Sequence, residues 1–93
     1  LEVMFEQLSM NTLLDGQSAL VSRVDAEPSM RRRLLDIGLI PGTRVTCQGH
    51  SPAGDPAAYL IRGAVIALRE QDARCVALER ENVPQAVGRA VLA

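Results

Sequence analysis

Cys47 and His50 are the side chains of this 93-residue chain best suited to binding a metal. Transition metals favour thiolate and imidazole ligands, so the pair could hold Fe(II) or Zn(II). Residues three apart on a regular strand face opposite sides, and zinc sites usually have three or four protein ligands. A bulge at Gly49 would bring the two side chains together, and Asp55 or a symmetry-related copy could then complete the site. His50 alone could also act as a surface ligand.

The sequence offers few groups for catalysis. It contains one histidine, and it lacks the GxSxG, HExxH and glycine-rich phosphate-loop motifs that position nucleophiles, catalytic metals and phosphates. The acidic residues are scattered over polar faces. We therefore expect a non-enzymatic protein.

Three consecutive arginines, Arg31 to Arg33, form the strongest local charge in a chain whose formal net charge is -1. That balance argues against nucleic-acid binding, which depends on excess positive charge. Adjacent helical residues point about 100° apart, so the run cannot form one phosphate clamp and is typical of a solvated face. Alternatively, Arg31 and Arg32 contact an acidic protein surface, with Leu39 and Ile40 as apolar contacts unless these two belong to the core.

The arginines lie in the clearest helix of the sequence. Pro28 and Ser29 stand where a helix would start. Met30, Leu34 and Ile37 follow at positions i, i+4 and i+7, which is one face of a helix with 3.6 residues per turn.

A specific pair of turns is predicted to end this helix. Gly38 would adopt the positive φ of a helix C-cap, and Leu39 would contact Leu34 beside it. Pro41 and Gly42 have the residue types of a type II turn, because proline fixes φ and glycine supplies the positive φ that follows. We therefore treat Gly38, Pro41 and Gly42 as structural turn residues.

The remaining periodicity is that of short strands. Five segments show alternation or short apolar runs between turn signals, namely 17–25, 44–50, 58–62, 64–69 and 74–80. Five closely spaced strands interrupted by one helix predict a mainly β domain, folded as a small, partly open barrel.

Cysteine use and hydropathy predict a cytoplasmic protein. Cys47 and Cys75 are 28 residues apart without a CxxC pair or a signal-peptide pattern, so they are interpreted as reduced thiols. No apolar run approaches the roughly 18 to 20 residues of a membrane span. We expect no direct membrane insertion, and any link to a membrane would involve a partner.

The segments "RRRLLDIGLIPGTRV", "SPAGDP" and "IRGAVIALRE", in this order and spacing, resemble the FeoA family. The similarity extends from Leu13 to Glu79. The resemblance implies a small five-stranded SH3-like barrel over 13–81, with one short α-helix inserted after the first strand. An N-terminal arm or short helix (1–12) and a C-terminal tail (82–93) would flank it.

Two positions depart from the family pattern. Ala64 follows Arg62 and Gly63, where the family commonly has an aromatic residue, and Ala53 stands where leucine is frequent. Both changes remove apolar bulk. The same barrel occurs as the C-terminal domain of repressors of the diphtheria-toxin-repressor type, but no winged-helix segment precedes it here, so we expect a stand-alone FeoA-like protein.

For function, the resemblance implies an accessory protein of bacterial ferrous iron uptake that binds or regulates the FeoB membrane transporter from the cytosolic side. Arg31, Arg32, Leu39 and Ile40 would make the contact, and a homo-oligomer is possible. The alternative is a regulatory SH3-like module that binds Fe(II) or Zn(II) through Cys47 and His50. A third reading, a module for proline-rich peptides, needs clustered aromatic residues, and Tyr59 alone does not form such a groove.

Overall fold

The computed structural model describes residues 8–80, so most of the predicted arm and the whole tail at 82–93 lie outside the described residues. One antiparallel sheet contains six strands in the order β1-β6-β2-β3-β4-β5. The strands are β1 (Leu8–Ser9), β2 (Ser18–Val24), β3 (Arg44–His50), β4 (Ala57–Ile61), β5 (Ala64–Leu68) and β6 (Val76–Glu79). A 3-10 turn covers Met10–Thr12, and two helices cover Pro28–Asp36 (α1) and Glu70–Ala73 (α2).

The prediction of five strands was wrong by one. The additional strand is β1, whose Leu8 pairs with Leu78 and whose Ser9 pairs with Ala77 of β6. A two-residue strand is too short to show alternation, so the sequence gives no signal for it. α1 consequently follows the second strand. Within residues 8–80, the sheet is not closed by pairing between β1 and β5.

α1 begins where proline and a capping side chain favour it. The Glu27 carboxylate accepts hydrogen bonds from the backbone N–H groups of Ser29 and Met30, each at 3.0 Å. Hydrogen bonds from Ser29, first through its side chain, and from the Met30 backbone lower the pKa of Glu27. Leu34 is buried against the sheet, with Met30 and Ile37 packed around it. The predicted apolar face is therefore confirmed.

The end of α1 is the predicted glycine cap. The Gly38 N–H donates to the Leu35 carbonyl at 2.9 Å, the Leu39 N–H donates to the Leu34 carbonyl at 3.1 Å, and Gly38 has a φ of +107°. This paired bonding is a Schellman motif. A Cβ at position 38 would stand 2.6 Å from Cδ of Arg62, so the Arg62 side chain would have to shift to make room for it.

The predicted turn after the cap is also present. The Thr43 N–H donates to the Ile40 carbonyl at 3.0 Å, and Gly42 between them has a φ of +93°. Gly42 also donates its N–H to the Val21 carbonyl at 2.8 Å. The turn is thereby attached to β2 as it leads the chain into β3.

The core lies on one face of the sheet under α1. In β4, Ala57, Tyr59 and Ile61 are buried and the residues between them are half-buried. The Tyr59 hydroxyl donates to the Met10 carbonyl at 3.3 Å, which connects the N-terminal segment to β4. The largest fully buried side chains are those of Tyr59, Met10, Leu34, Leu39, Ile61, Val21, Val45, Val76 and Cys47.

β5 forms one edge of the sheet and exposes apolar surface. Its Val65 is 62% exposed. The tight turn before it contains Arg62 and Gly63, both with positive φ (52° and 86°), and Arg69 follows its last residue. Over residues 8–80, no helix has the length and apolar character that crossing a bilayer requires.

Candidate metal site and partner surface

A β-bulge at the end of β3 determines where its side chains point. Cys47 pairs with Tyr59 and His50 pairs with Ala57, and the register shifts between them so that Gln48 has no partner in β4. Opposed residues of an antiparallel pair lie on the same face. Because Tyr59 and Ala57 both face the core side of β4, Cys47 and His50 share that side as well.

A bulge is therefore present at Gln48, one residue before the predicted position at Gly49, and it does bring the two side chains together. A third group, the carboxylate of Asp15, joins them. Its Oδ1 lies 2.6 Å from His50 Nδ1 and 3.9 Å from Cys47 Sγ. One ligand atom from each residue lies within 4.8 Å of the other two. Within the described residues, this is the one cluster of three His, Cys, Asp or Glu side chains suited to a metal ion.

Asp15 reaches the cluster because its turn is hydrogen-bonded to β3. The Gly16 N–H donates to the Cys47 carbonyl at 2.7 Å, and the Cys47 N–H donates to the Gln17 carbonyl at 2.9 Å. Gly16 has a φ of +87°, a conformation that glycine adopts readily in tight turns. The start of β2 is thus held beside the end of β3, although Asp15 and Cys47 are 32 positions apart along the chain.

Asp55, suggested from the sequence as the completing ligand, serves a different role. Its Oδ1 accepts the backbone N–H of Glu70 at 2.8 Å and so caps the start of α2. Asp15 takes the expected place because antiparallel pairing of β2 with β3 brings the turn before β2 to this end of the sheet. An Asp-Gly pair favours a turn, but only the pairing of β2 with β3 brings that turn to the cluster.

The electrostatic environment keeps the free thiol neutral. Burial raises the pKa of the Cys47 thiol, and the negative charge of Asp15 raises it further, against a lowering hydrogen bond from the Gly49 backbone. Cys47 is fully buried, whereas the side chains of Asp15 and His50 are about two thirds and one third exposed. The cluster therefore has a closed side at the thiol and an open side at the carboxylate. Both cysteines are free thiols, as expected.

The three arginines of α1 are exposed, as a solvated face requires. Arg32 Nε lies 3.5 Å from Asp36 Oδ1, a pair in which both side chains are more than two thirds exposed. Arg33 Nη1 contacts Met30 Sδ at 3.7 Å. Across residues 8–80, Arg31 forms no ion pair. The positive charges of the three exposed arginines are consequently accessible to another molecule.

The two apolar residues suggested as partner contacts separate in the structure. Leu39 is fully buried in the core beneath the helix cap, so its assignment to a partner surface was wrong. Ile40, the next residue, is 41% exposed. Of these two consecutive apolar residues, Leu39 thus belongs to the core and Ile40 to the surface.

The sequence matches the FeoA domain family over residues 8–80, which is most of the chain. The chain belongs to the FeoA domain family. It is 29% identical over 72 residues to the Fe(2+) transport protein A/Fe(2+) transporter FeoB fusion protein of Porphyromonas gingivalis. That similarity covers 77% of this chain but only 8% of the much longer fusion protein.

Solved FeoA structures have the same fold. A FeoA-like protein from Clostridium acetobutylicum is 28% identical, with a TM-score of 0.75 over 83% of this chain and 90% of its own. A zinc complex of FeoA from Stenotrophomonas maltophilia, described as a prokaryotic SH3 domain protein, is 26% identical. Its TM-score is 0.70 over 77% of this chain and 89% of its own.

The SH3-like fold is therefore shown, and the predicted kinship with repressor domains is confirmed at the level of fold. A manganese-dependent transcriptional repressor is 19% identical with a TM-score of 0.73, covering 85% of this chain and 44% of the repressor. The Porphyromonas gingivalis relative is named as a ferrous iron transport protein.

Proposed function

We propose that this FeoA-domain protein is a non-enzymatic, cytoplasmic accessory protein that binds a FeoB-type ferrous iron transporter. One observation carries the proposal, namely that a relative of this chain is joined to FeoB in a single polypeptide in Porphyromonas gingivalis. Covalent linkage raises the effective concentration of two modules for each other, which is useful when the modules work in contact.

The proposed contact surface consists of Arg31, Arg32 and Ile40. The two arginines are exposed on α1, and Ile40 is the exposed apolar residue of the turn that follows. Exposed charges mainly increase the association rate and orient the partner, whereas affinity comes from a desolvated apolar centre. Since Ile40 provides only a small apolar contact, electrostatic steering would dominate recognition of an acidic surface on the transporter.

Charge reversal of α1 tests the proposal. Arg31→Glu combined with Arg32→Glu should leave the free energy of unfolding nearly unchanged, because exposed charges contribute about 0–1 kcal/mol. Association with the purified cytosolic domain of the cognate transporter should slow about tenfold or more at low salt and lose its salt dependence. Stopped-flow or surface-based kinetics at two ionic strengths would measure both effects.

A matched control changes the net charge equally at other surfaces. Arg23→Glu with Arg74→Glu removes two exposed arginines that pair with Asp25 and Glu70, and it should affect association much less. Equal rates for the native chain and the α1 variant would show that the arginines are a solvated face. Absence of binding by the native chain would contradict the proposed function itself.

A further inference from the structure

We propose that Asp15, Cys47 and His50 form a three-ligand site for a divalent transition metal of the Zn(II), Co(II) and Fe(II) class. The site would leave a fourth coordination position open toward solvent. None of its ligands belongs to α1 or to the turn after it, so the proposal does not depend on binding to the transporter.

The donor set selects the class of metal. One thiolate sulfur, one imidazole nitrogen and one carboxylate oxygen suit transition metals of intermediate softness. Ca²⁺ and Mg²⁺ require six or more oxygen ligands or an octahedral shell, and this cluster offers a single carboxylate. Three protein ligands with one free position are typical of open zinc sites, whereas closed structural sites have four.

The distances between the three ligand atoms lie within about 1 Å of those around a coordinated ion. Ligand atoms placed about 2.0–2.3 Å from a tetrahedral metal lie about 3.3–3.8 Å from one another. The carboxylate oxygen of Asp15 is now 2.6 Å from the His50 nitrogen and 3.9 Å from the Cys47 sulfur. An ion would replace the Asp15–His50 hydrogen bond, and the exposed Asp15 side chain has room to adjust.

The backbone holds the ligands in place before any ion arrives. Two backbone hydrogen bonds join Cys47 to the turn that contains Asp15. The bulge at Gln48 places His50 on the same side as Cys47, which three-residue spacing on a regular strand would prevent. Little conformational entropy is therefore lost on binding, and the exposed carboxylate gives the ion a path from solvent.

Cobalt is a suitable probe because its spectrum reports the ligands. The reduced 93-residue chain should bind one Co(II) per chain in a saturable titration. Its spectrum should show a sulfur-to-cobalt charge-transfer band and the strong visible bands of tetrahedral geometry. Zn(II) should displace the cobalt. Cys47→Ser should abolish the charge-transfer band, and Asp15→Asn and His50→Gln should each weaken binding at least about tenfold.

Two matched controls decide whether this particular cluster is responsible. Cys75→Ser removes the other thiol, and Asp55→Asn removes the carboxylate that caps α2, so neither should change cobalt binding. If Cys47→Ser does not fold, Asp15→Asn at its exposed position still provides the test. The proposal would be overturned by absence of saturable binding, by a charge-transfer band that persists without Cys47, or by one ion per two chains.

Discussion

Tyr59 shows at the scale of a single residue how the core constrains ionisation. It is the only tyrosine of a chain that has no tryptophan, and it is almost completely buried. Burial raises its pKa to about 12, with smaller contributions from Cys47, Asp55 and Glu70 when these groups are ionised. The fold therefore favours the neutral phenol, whose O–H donates a hydrogen bond to the Met10 carbonyl.

This predicts a loss of stability at alkaline pH. A raised pKa means that the stabilising effect is fully present below the ordinary tyrosine pKa of about 10 and is lost as the pH rises toward 12. Tyrosinate absorbance of the native chain should appear near pH 12 or together with unfolding, whereas the urea-unfolded chain should titrate near 10. Titration of the native chain near pH 10 with an unchanged circular dichroism spectrum would contradict the prediction.

The candidate site could be predicted in part at this scale. Residue chemistry selected Cys47 and His50, and glycine at 49 indicated where a bulge could form. Asp15 could not be found in the same way, because its position depends on a pairing between strands that a helix separates in the sequence. Asp55 was closer along the chain, but its carboxylate is engaged by the Glu70 backbone.

At the scale of elements, the cap of α1 is fixed by two independent requirements on Gly38. Its φ of +107° is unfavourable for residues that carry a Cβ, and a Cβ there would stand 2.6 Å from the Arg62 side chain. Gly42 has a similar φ of +93° but nothing within 4 Å of its missing Cβ. Comparing alanine variants at the two glycines therefore separates the energetic cost of backbone strain from the cost of steric crowding.

Gly38→Ala should destabilise the fold by about 1–2 kcal/mol from backbone strain, and by more if Arg62 cannot move away. Gly42→Ala should show the strain alone. Adding Arg62→Ala to Gly38→Ala should recover the excess over Gly42→Ala in urea denaturation. An equal cost for both glycine variants, with no recovery, would show that the contact with Arg62 has no energetic role.

Interactions between residues close in sequence explain why α1 and its cap could be predicted whereas β1 could not. Pro28, the apolar spacing around Leu34 and the glycine at 38 all act within a few residues of one another, so the sequence pattern is sufficient. β1 exists only because residues 8 and 9 run beside β6, about 70 positions away. Such a pairing is a property of the assembled sheet rather than of two residues.

At the scale of the whole molecule, the N-terminal segment belongs to the core. Met10 is fully buried beside the sheet, and its carbonyl accepts the Tyr59 hydroxyl. The domain boundary at residue 13 stays a prediction, but Met10, which lies before it, packs in the core. Leu14, only four residues later, is 65% exposed.

Met10→Ala should therefore lower the free energy of unfolding by about 2–5 kcal/mol, because it removes buried contacts and leaves a cavity. Leu14→Ala, a comparable truncation at the surface, should change it by less than about 0.5 kcal/mol. Chemical denaturation of both variants measures the contrast. Similar small effects would indicate that the segment before residue 13 does not contribute to the core.

The edge strand β5 has a consequence for how copies of this protein behave toward one another. It is five apolar residues long, and no strand among residues 8–80 covers its outer side. Such an edge is a template for aggregation. Arg62 and Arg69 flank it. In an antiparallel approach of two edges centred on Ile66, Arg62 of one copy would lie beside Arg69 of the other and opposite Glu70, whose carboxylate already pairs with Arg74. Repulsion between the arginines opposes self-templated sheet growth, and this protection weakens as rising ionic strength shortens the screening length below about 8 Å.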